Sequence, residues 1–260
     1  MNKEKRRIVV KVGTSTLTYD TGRTNIRHIS RLVNVLADIM NSGDQVVLVS
    51  SGAIAVGCGK LGLKQRPTDT PGRQAVSTVG QCELMFMYDK LFSEYSYSAG
   101  QLLITKADAD DPERRNNLTN AFEKLLEMGA VPIVNENDCV AVEEIAYGDN
   151  DCLSAIVARL IRADMLIMLT DTDGLFDSDP ALNKNARLIS EVEQITPDLQ
   201  KLAGGAGTTR GTGGMITKLH AAQIATEAGI ETYIINGGDA ENIYRVLDGE
   251  SIGTRFKAVK

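Results

Sequence analysis

The chain has 260 residues, 43% of them apolar, which is enough to bury a full core either as one large α/β domain or as two small ones. A single domain over residues 1–260 is the expectation. The net charge is −6 and the lysines and arginines are scattered, so the basic stripe that a phosphate backbone requires is missing and nucleic acid is not an expected partner. No apolar run reaches the roughly 18 residues of a membrane span, and the charged start Met1–Arg7 leads into a strand rather than a signal-peptide core; the expectation is a soluble, cytoplasmic chain with no membrane partner.

In chain order, Ile8–Val12 reads as a strand, and Asn25–Ser42 as a helix with Ile26, Ile29, Leu32, Val33, Leu36, Ile39 and Met40 on its apolar side, stopped by Gly43. Val46–Val49 is a buried strand. A small-residue helix follows from about Ser51, then a longer one over about Gly72–Glu94. Leu102–Ile104 reads as a strand, followed by a helix ending near Gly129, and Val131–Val134 and Met165–Leu169 continue the pattern. Between those two strands, Asp151–Arg162 carries Leu153, Ile156, Val157, Leu160 and Ile161 on one face and reads as a crossover helix. A helix over about Met215–Ala228, the strand Thr232–Ile235 and a short helix Ala240–Leu247 complete the chain.

Alternating strands and helices with near-continuous apolar strands predict a mostly parallel sheet covered on both faces. Ligands then gather at the strand ends. Ser50-Ser51-Gly52, Asn135-Glu136-Asn137-Asp138 and Thr170-Asp171 each follow a predicted strand directly. Lys11 lies at the end of an apolar strand before Gly13-Thr14-Ser15, and Lys218 closes Gly211-Thr212-Gly213-Gly214-Met215-Ile216-Thr217-Lys218 at the start of a helix. Both segments suit a phosphate, because glycine turns and helix N-termini present backbone N–H groups to anions. The plain alternatives are a solvated lysine at Lys11, a flexible surface loop over Ala203–Gly214, and helix capping by Asp149 and Asp151. A lysine in a first helical turn is unfavourable against the helix dipole unless an anion sits there, which favours function for Lys218.

P-loop, dinucleotide-binding and protein-kinase signatures are all missing. The four cysteines, Cys58, Cys82, Cys139 and Cys152, lack zinc or disulfide spacing, and only His28 and His220 could add imidazole, so no metal site is expected from side chains alone. Reduced thiols are expected, with Cys139 and Cys152 read as small buried residues beside functional segments.

The ordered set Val10-Lys11-Val12-Gly13-Thr14-Ser15, Val49-Ser50-Ser51-Gly52-Ala53-Ile54, Pro132–Asp138, Gly148-Asp149-Asn150-Asp151, Leu169-Thr170-Asp171 and Gly211–Lys218 resembles the glutamate 5-kinases of the amino acid kinase family. The resemblance implies a three-layer αβα sandwich. It also implies phosphorylation of the L-glutamate γ-carboxylate by ATP with Mg²⁺, giving γ-glutamyl phosphate for proline synthesis. On this resemblance Lys11 and Lys218 are catalytic lysines and Asp151 is the acidic residue that orients them. The glutamate pocket maps to Ser51, Gly52, Asn135, Asp138 and Asn150. The nucleotide pocket maps to Lys11, Gly13, Thr170, Asp171, Thr212, Gly213, Gly214, Met215, Ile216, Thr217 and Lys218.

A homodimer or homotetramer, with the helix Gly72–Glu94 as a candidate contact, is implied in the same way. So are feedback by L-proline through Cys139–Gly148, with Glu143 and Glu144, and a glutamyl phosphate reductase as functional partner. Many glutamate 5-kinases continue into a PUA module of about a hundred residues; ending at Lys260, this chain is expected to lack it. Acetylglutamate kinase, aspartokinase, uridylate kinase and carbamate kinase resemble the same fold, and a nucleotide- or amino-acid-sensing regulator without turnover is the reading from another class.

The chemistry agrees with the implied roles. A phosphoryl-transfer state is spread negative charge that needs positioning and cations. A carboxylate nucleophile with a pKa of about 4.3 is already ionised at neutral pH and needs no general base.

Overall fold

The structure is a computed structural model that describes residues 5–19, 21–141, 150–204 and 214–259. Its elements run β1 (Arg7–Val12), α1 (Thr14–Leu17), α2 (Ile26–Asn41), β2 (Gln45–Ser50), α3 (Ala53–Leu61), α4 (Thr70–Ser93), β3 (Ala99–Ile104), α5 (Lys106–Asp110), α6 (Pro112–Glu127), β4 (Val131–Glu136), α7 (Asn150–Leu160), β5 (Met165–Thr170), β6 (Glu191–Val192), α8 (Pro197–Gly204), α9 (Met215–Glu227), β7 (Glu231–Asn236), α10 (Asn242–Leu247) and β8 (Thr254–Phe256). The strands form one eight-stranded sheet in the order β3-β4-β2-β1-β5-β7-β8-β6. Every pairing is parallel except β7 with β8.

Strand parity divides the core into two layers. Ile8, Val10 and Val12 of β1, with Val46 and Leu48 of β2, pack in one cluster with Leu32 and Leu36 of α2, Leu84, Tyr88 and Phe92 of α4, and Ile243 of α10. Val9, Val47 and Val49 join the other cluster, with Phe122 of α6, Val157 of α7, and Leu219 and Ala222 of α9. Because side chains alternate across a strand, Lys11 shares the side of Val9 and is delivered to the layer of α7 and α9.

β1 is also where the strand order reverses. The chain runs from β1 outward to β2, β4 and β3, then returns to lay β5 against the other edge of β1. A crevice at the carboxyl ends of strands flanking such a switch point is where open α/β sheets hold ligands.

Local signals explain most boundaries. Asn25 caps α2, its side chain accepting a hydrogen bond from the His28 backbone N–H at 3.1 Å, and Asp69 caps α4 by accepting from Gly72 N–H at 2.7 Å. Along α4, Val76, Gly80, Leu84, Tyr88 and Phe92 are buried at four-residue spacing. Among the described glycines Gly80 is the most tightly placed: a Cβ there would lie 1.7 Å from the Ala53 carbonyl oxygen, so the backbones of α3 and α4 touch where only glycine fits.

Several readings need correction. Ile26, grouped with the apolar face of α2, is exposed in the first turn. Cys139, read as buried, is exposed, and Cys152 is only half-buried. The short elements α1, α5, α8, β6 and β8 carry too few periodic residues to register in the sequence; β8 supplies the one antiparallel pairing. No helix among the described residues is long and apolar enough to cross a membrane.

Candidate active site

Lys11 Nζ lies 2.5 Å from Asp151 Oδ1, and Lys218 Nζ lies 3.0 Å from Asp151 Oδ2, so one carboxylate bridges two ammonium groups. Asp151 is fully buried, and Lys11 and Lys218 are 5% and 6% exposed. The three come from different elements: Lys11 from β1, Asp151 from the first turn of α7, and Lys218 from the first turn of α9. Thr217 Oγ1 donates to Asp151 Oδ2 at 3.0 Å. The Asp151 side chain is thus engaged with Lys11, Lys218 and Thr217. Buried ions persist only when paired and hydrogen-bonded, which this bridge achieves.

One residue earlier on α7, Asn150 organises a neutral network. Its Nδ2 lies 2.8 Å from Asn135 Oδ1, 3.0 Å from Ser51 Oγ and 3.2 Å from the Ser50 carbonyl. Two hydrogens serve three acceptors, so one is shared. Asn135 Oδ1 also accepts from the Glu136 backbone N–H at 2.9 Å, while Asn135 Nδ2 donates to Gln81 Oε1 at 2.8 Å. Ser50 Oγ and the Tyr88 hydroxyl sit 2.8 Å apart beneath the network, and full burial pushes the phenol pKa up.

Gln81 and Tyr88 have no signal in the sequence. They reach the site only because α4 packs on α3 through Gly80.

Asp138, in the turn after β4, is half-buried, and burial pushes its carboxyl up to about 6 against the opposing charge of Arg66. Arg66 was likewise invisible beforehand, since it sits in the loop between α3 and α4 with no motif around it.

Gly52 precedes α3 at φ 97°, a left-handed conformation that aims its turn back at β1. At Gly13 a Cβ would stand 3.8 Å from Lys11 Nζ, an ordinary contact that places the turn beside that ammonium without itself demanding glycine.

Thr170 ends β5, buried, with its hydroxyl donating to Asp171 Oδ1 at 3.2 Å; Asp171 is exposed. Gly214 precedes α9 as an N-cap residue without a side chain to bond the first-turn N–H groups, Met215 is half-buried and Ile216 exposed. The structure therefore joins Lys11, Asp151, Thr217 and Lys218 in one cluster and Ser51, Asn135 and Asn150 in a second that touches it through adjacent residues of α7. Thr170 and Asp171 lie at the neighbouring strand end. Thr212, Gly213, Glu143, Glu144, Gly148 and Asp149 lie outside the described residues.

The profile of the amino acid kinase family matches residues 6–236. The chain belongs to the amino acid kinase family. Within this family it is 51% identical to the glutamate 5-kinase of Clostridium perfringens, with 99% of this chain and 97% of that protein covered. It is 52% identical to the glutamate 5-kinase of Listeria monocytogenes, with 99% of this chain and 95% of that protein covered. Among solved structures, UMP kinase from Bacillus anthracis superposes with a TM-score of 0.66 at 16% identity, covering 99% of this chain and 98% of its own. An isopentenyl phosphate kinase superposes with a TM-score of 0.65 at 18% identity, covering 96% of this chain and 100% of its own. These structures share the fold of the family, a three-layer αβα sandwich around a mostly parallel sheet.

Proposed function

We propose that this chain is a glutamate 5-kinase, transferring the γ-phosphoryl group of ATP to the γ-carboxylate of L-glutamate to give L-glutamyl 5-phosphate, the first step of proline synthesis. The observation that carries the reading is the convergence of Lys11 and Lys218, from the middle of the sheet and from a helix start, on the single buried carboxylate of Asp151.

That geometry answers the needs of phosphoryl transfer. Two cations held in place before substrate arrives face the charge that spreads over the moving group, with no reorganisation at the moment of reaction. Lys11 serves one side of that group, and Lys218 with the N–H groups that open α9 serves the other. Asp151 holds the two ammonium groups in register, and Thr217 fixes Asp151.

On the acceptor side, Ser51, Gly52, Asn135 and Asn150 position the glutamate, whose carboxylate attacks without a base. Asp138 meets the α-ammonium group, a charge that an N-acetylated substrate would lack. Gly13, Thr170, Asp171 and the segment Thr212–Lys218 cradle the nucleotide.

A divalent ion, Mg²⁺, enters with ATP and neutralises phosphate charge. Such an ion is commonly held largely by phosphates and water.

Residues 1–260 form one kinase unit that works in the cytoplasm. It pairs into homodimers or homotetramers through α4, where Phe86 is 64% exposed. L-proline is its feedback inhibitor, acting through Cys139–Gly148, most of which lies outside the described residues, and a glutamyl phosphate reductase consumes its product.

The test is to trap the acyl phosphate: incubation with ATP, Mg²⁺, L-glutamate and hydroxylamine should yield γ-glutamyl hydroxamate. Acetylglutamate, aspartate, UMP and carbamate in place of glutamate should drive no comparable ADP release. Preferential turnover of any of these would overturn the assignment, and ligand-dependent stabilisation without ADP release would replace it with a sensor.

A further inference from the structure

Cys152 Sγ lies 3.6 Å from His220 Nδ1. The pair bridges the same two helices as the lysine cluster, since Cys152 follows Asp151 on α7 and His220 lies two residues beyond Lys218 on α9. Both line a cavity of about 800 Å³, large enough for a small organic molecule, which Asn150, Ile216 and Thr217 of the proposed site also line. Leu153, Ile156, Ile216 and Ile224 form its apolar wall. Its charged lining is balanced, Lys106 and Arg159 against Asp110 and Glu136, which suits a neutral guest better than an ion.

Three features single out this thiol. Cys152 is the third residue of α7, within the positive end of the helix dipole, which favours a thiolate. His220 is in reach of its proton. The cavity gives a reagent room beside the sulfur. By contrast, burial pushes the Cys58 thiol up against the lowering charge of Arg66, and Cys82 and Cys139 are simply exposed.

We propose that Cys152 is a modification site for small neutral disulfides, which enter this cavity, form a mixed disulfide with Cys152 and thereby disturb the Asp151 bridge. The thiol proton passes to His220. The thiolate attacks one sulfur of the guest, a new S–S bond forms as the old one breaks, and the departing thiolate takes the proton back from His220. Cys152 is oxidised and half of the guest is reduced; a second thiol reverses the exchange. The added group occupies the space between α7 and α9, where Asp151 Oδ2 and Lys218 Nζ must stay 3.0 Å apart. A displacement of about 1 Å at such a contact is enough to cost on the order of 10²-fold in rate.

The experiment treats the intact protein with 2-hydroxyethyl disulfide and follows peptide masses and turnover together. Cys152 should be labelled at least about fivefold faster than the surface thiols Cys82 and Cys139. Turnover should fall at least about tenfold in step with that label, and a reducing thiol should restore both. Cys152→Ser should keep its basal turnover and lose the sensitivity, while His220→Gln should slow labelling of Cys152. Labelling of Cys152 no faster than the surface thiols, equal inactivation of Cys152→Ser, or labelled protein with full turnover would each overturn the proposal. The coupling to turnover rests on the kinase reading, but the labelling does not: a chain that makes no acyl phosphate refutes the kinase while the peptide masses still decide on the thiol.

Discussion

Asn150 and Asp151 are neighbours in the first turn of α7, yet they sit at the centres of two unlike regions. Around Asp151 the partners are ammonium groups, and the contacts bind full charges inside the protein. Around Asn150 the partners are an amide, a hydroxyl and a backbone carbonyl. Ion contacts of this kind are strong and intolerant of losing a member, because the remaining charge is stranded. Neutral hydrogen bonds each contribute about 1 kcal/mol, and their value lies in geometry. One helix start thus separates the chemistry of transfer from recognition of the acceptor.

Breaking the charged region should have the largest effect. Asp151→Asn leaves two buried cations without their shared carboxylate. Turnover should fall by at least about 10²-fold and unfolding free energy by about 3–5 kcal/mol, read by steady-state kinetics and urea titration. Lys11→Ala and Lys218→Ala should each lower turnover at least about 10²-fold with the fold intact by circular dichroism. A variant of either lysine that keeps more than about a tenth of wild-type turnover would remove the two-lysine mechanism.

The neutral region should respond differently. Asn150→Ala should raise the KM for glutamate about tenfold while the KM for ATP barely moves, since two or three hydrogen bonds are lost on the acceptor side only. Equal effects on both substrates would erase the division of labour.

Asp138 sharpens the comparison through pH. Its carboxyl is held up to about 6 by burial, so below that pH it is neutral and cannot pair with the α-ammonium group. The KM for glutamate should rise as pH falls through about 6 and stay flat above it. For stability the sign is opposite to that of a salt-bridged carboxylate: the folded state holds the proton more tightly than the unfolded one, so stability is lost as pH rises from the ordinary aspartate range to about 6. Asp138→Asn should therefore gain on the order of 1 kcal/mol at pH 7, gain nothing at pH 3, and still raise the KM for glutamate. A KM independent of pH between 5 and 7.5 would take Asp138 out of the acceptor pocket. The smallest effect is expected from Thr217→Val, a loss of about threefold in turnover, because the bridge survives without that donor.

Much of this division was legible beforehand. The polar endings of β2, β4 and β5 stood out because a buried strand that turns polar at its last residue must have something to bind. Lys11 and Lys218 stood out against an apolar run and a helix dipole. Gln81, Tyr88 and Arg66 did not, because their roles depend on how α4 and the loop before it meet strands far away in the chain, and nothing local encodes that approach. The pair Gly57 and Gly80 was the only trace. A Cβ on Gly57 would lie 2.1 Å from the Val76 carbonyl oxygen, but glycines inside helical stretches have several explanations until the two helices are seen touching. The strands β6 and β8 were missed for a simpler reason, being two and three residues long.

The alternation along β1 sets a rule for insertions and deletions. One residue added or removed between Arg7 and Lys11 would turn the ammonium group to the far side of the sheet, among the hydrocarbon side chains beneath α2, and bring an aliphatic group to Asp151. Two added residues would restore the side but move the charge by about 7 Å along the strand. The surface turn near Gly22, by contrast, can change length without altering which way any catalytic side chain faces. Length variation in this chain should therefore be frequent between strands and absent within the five residues that carry Lys11 to its place.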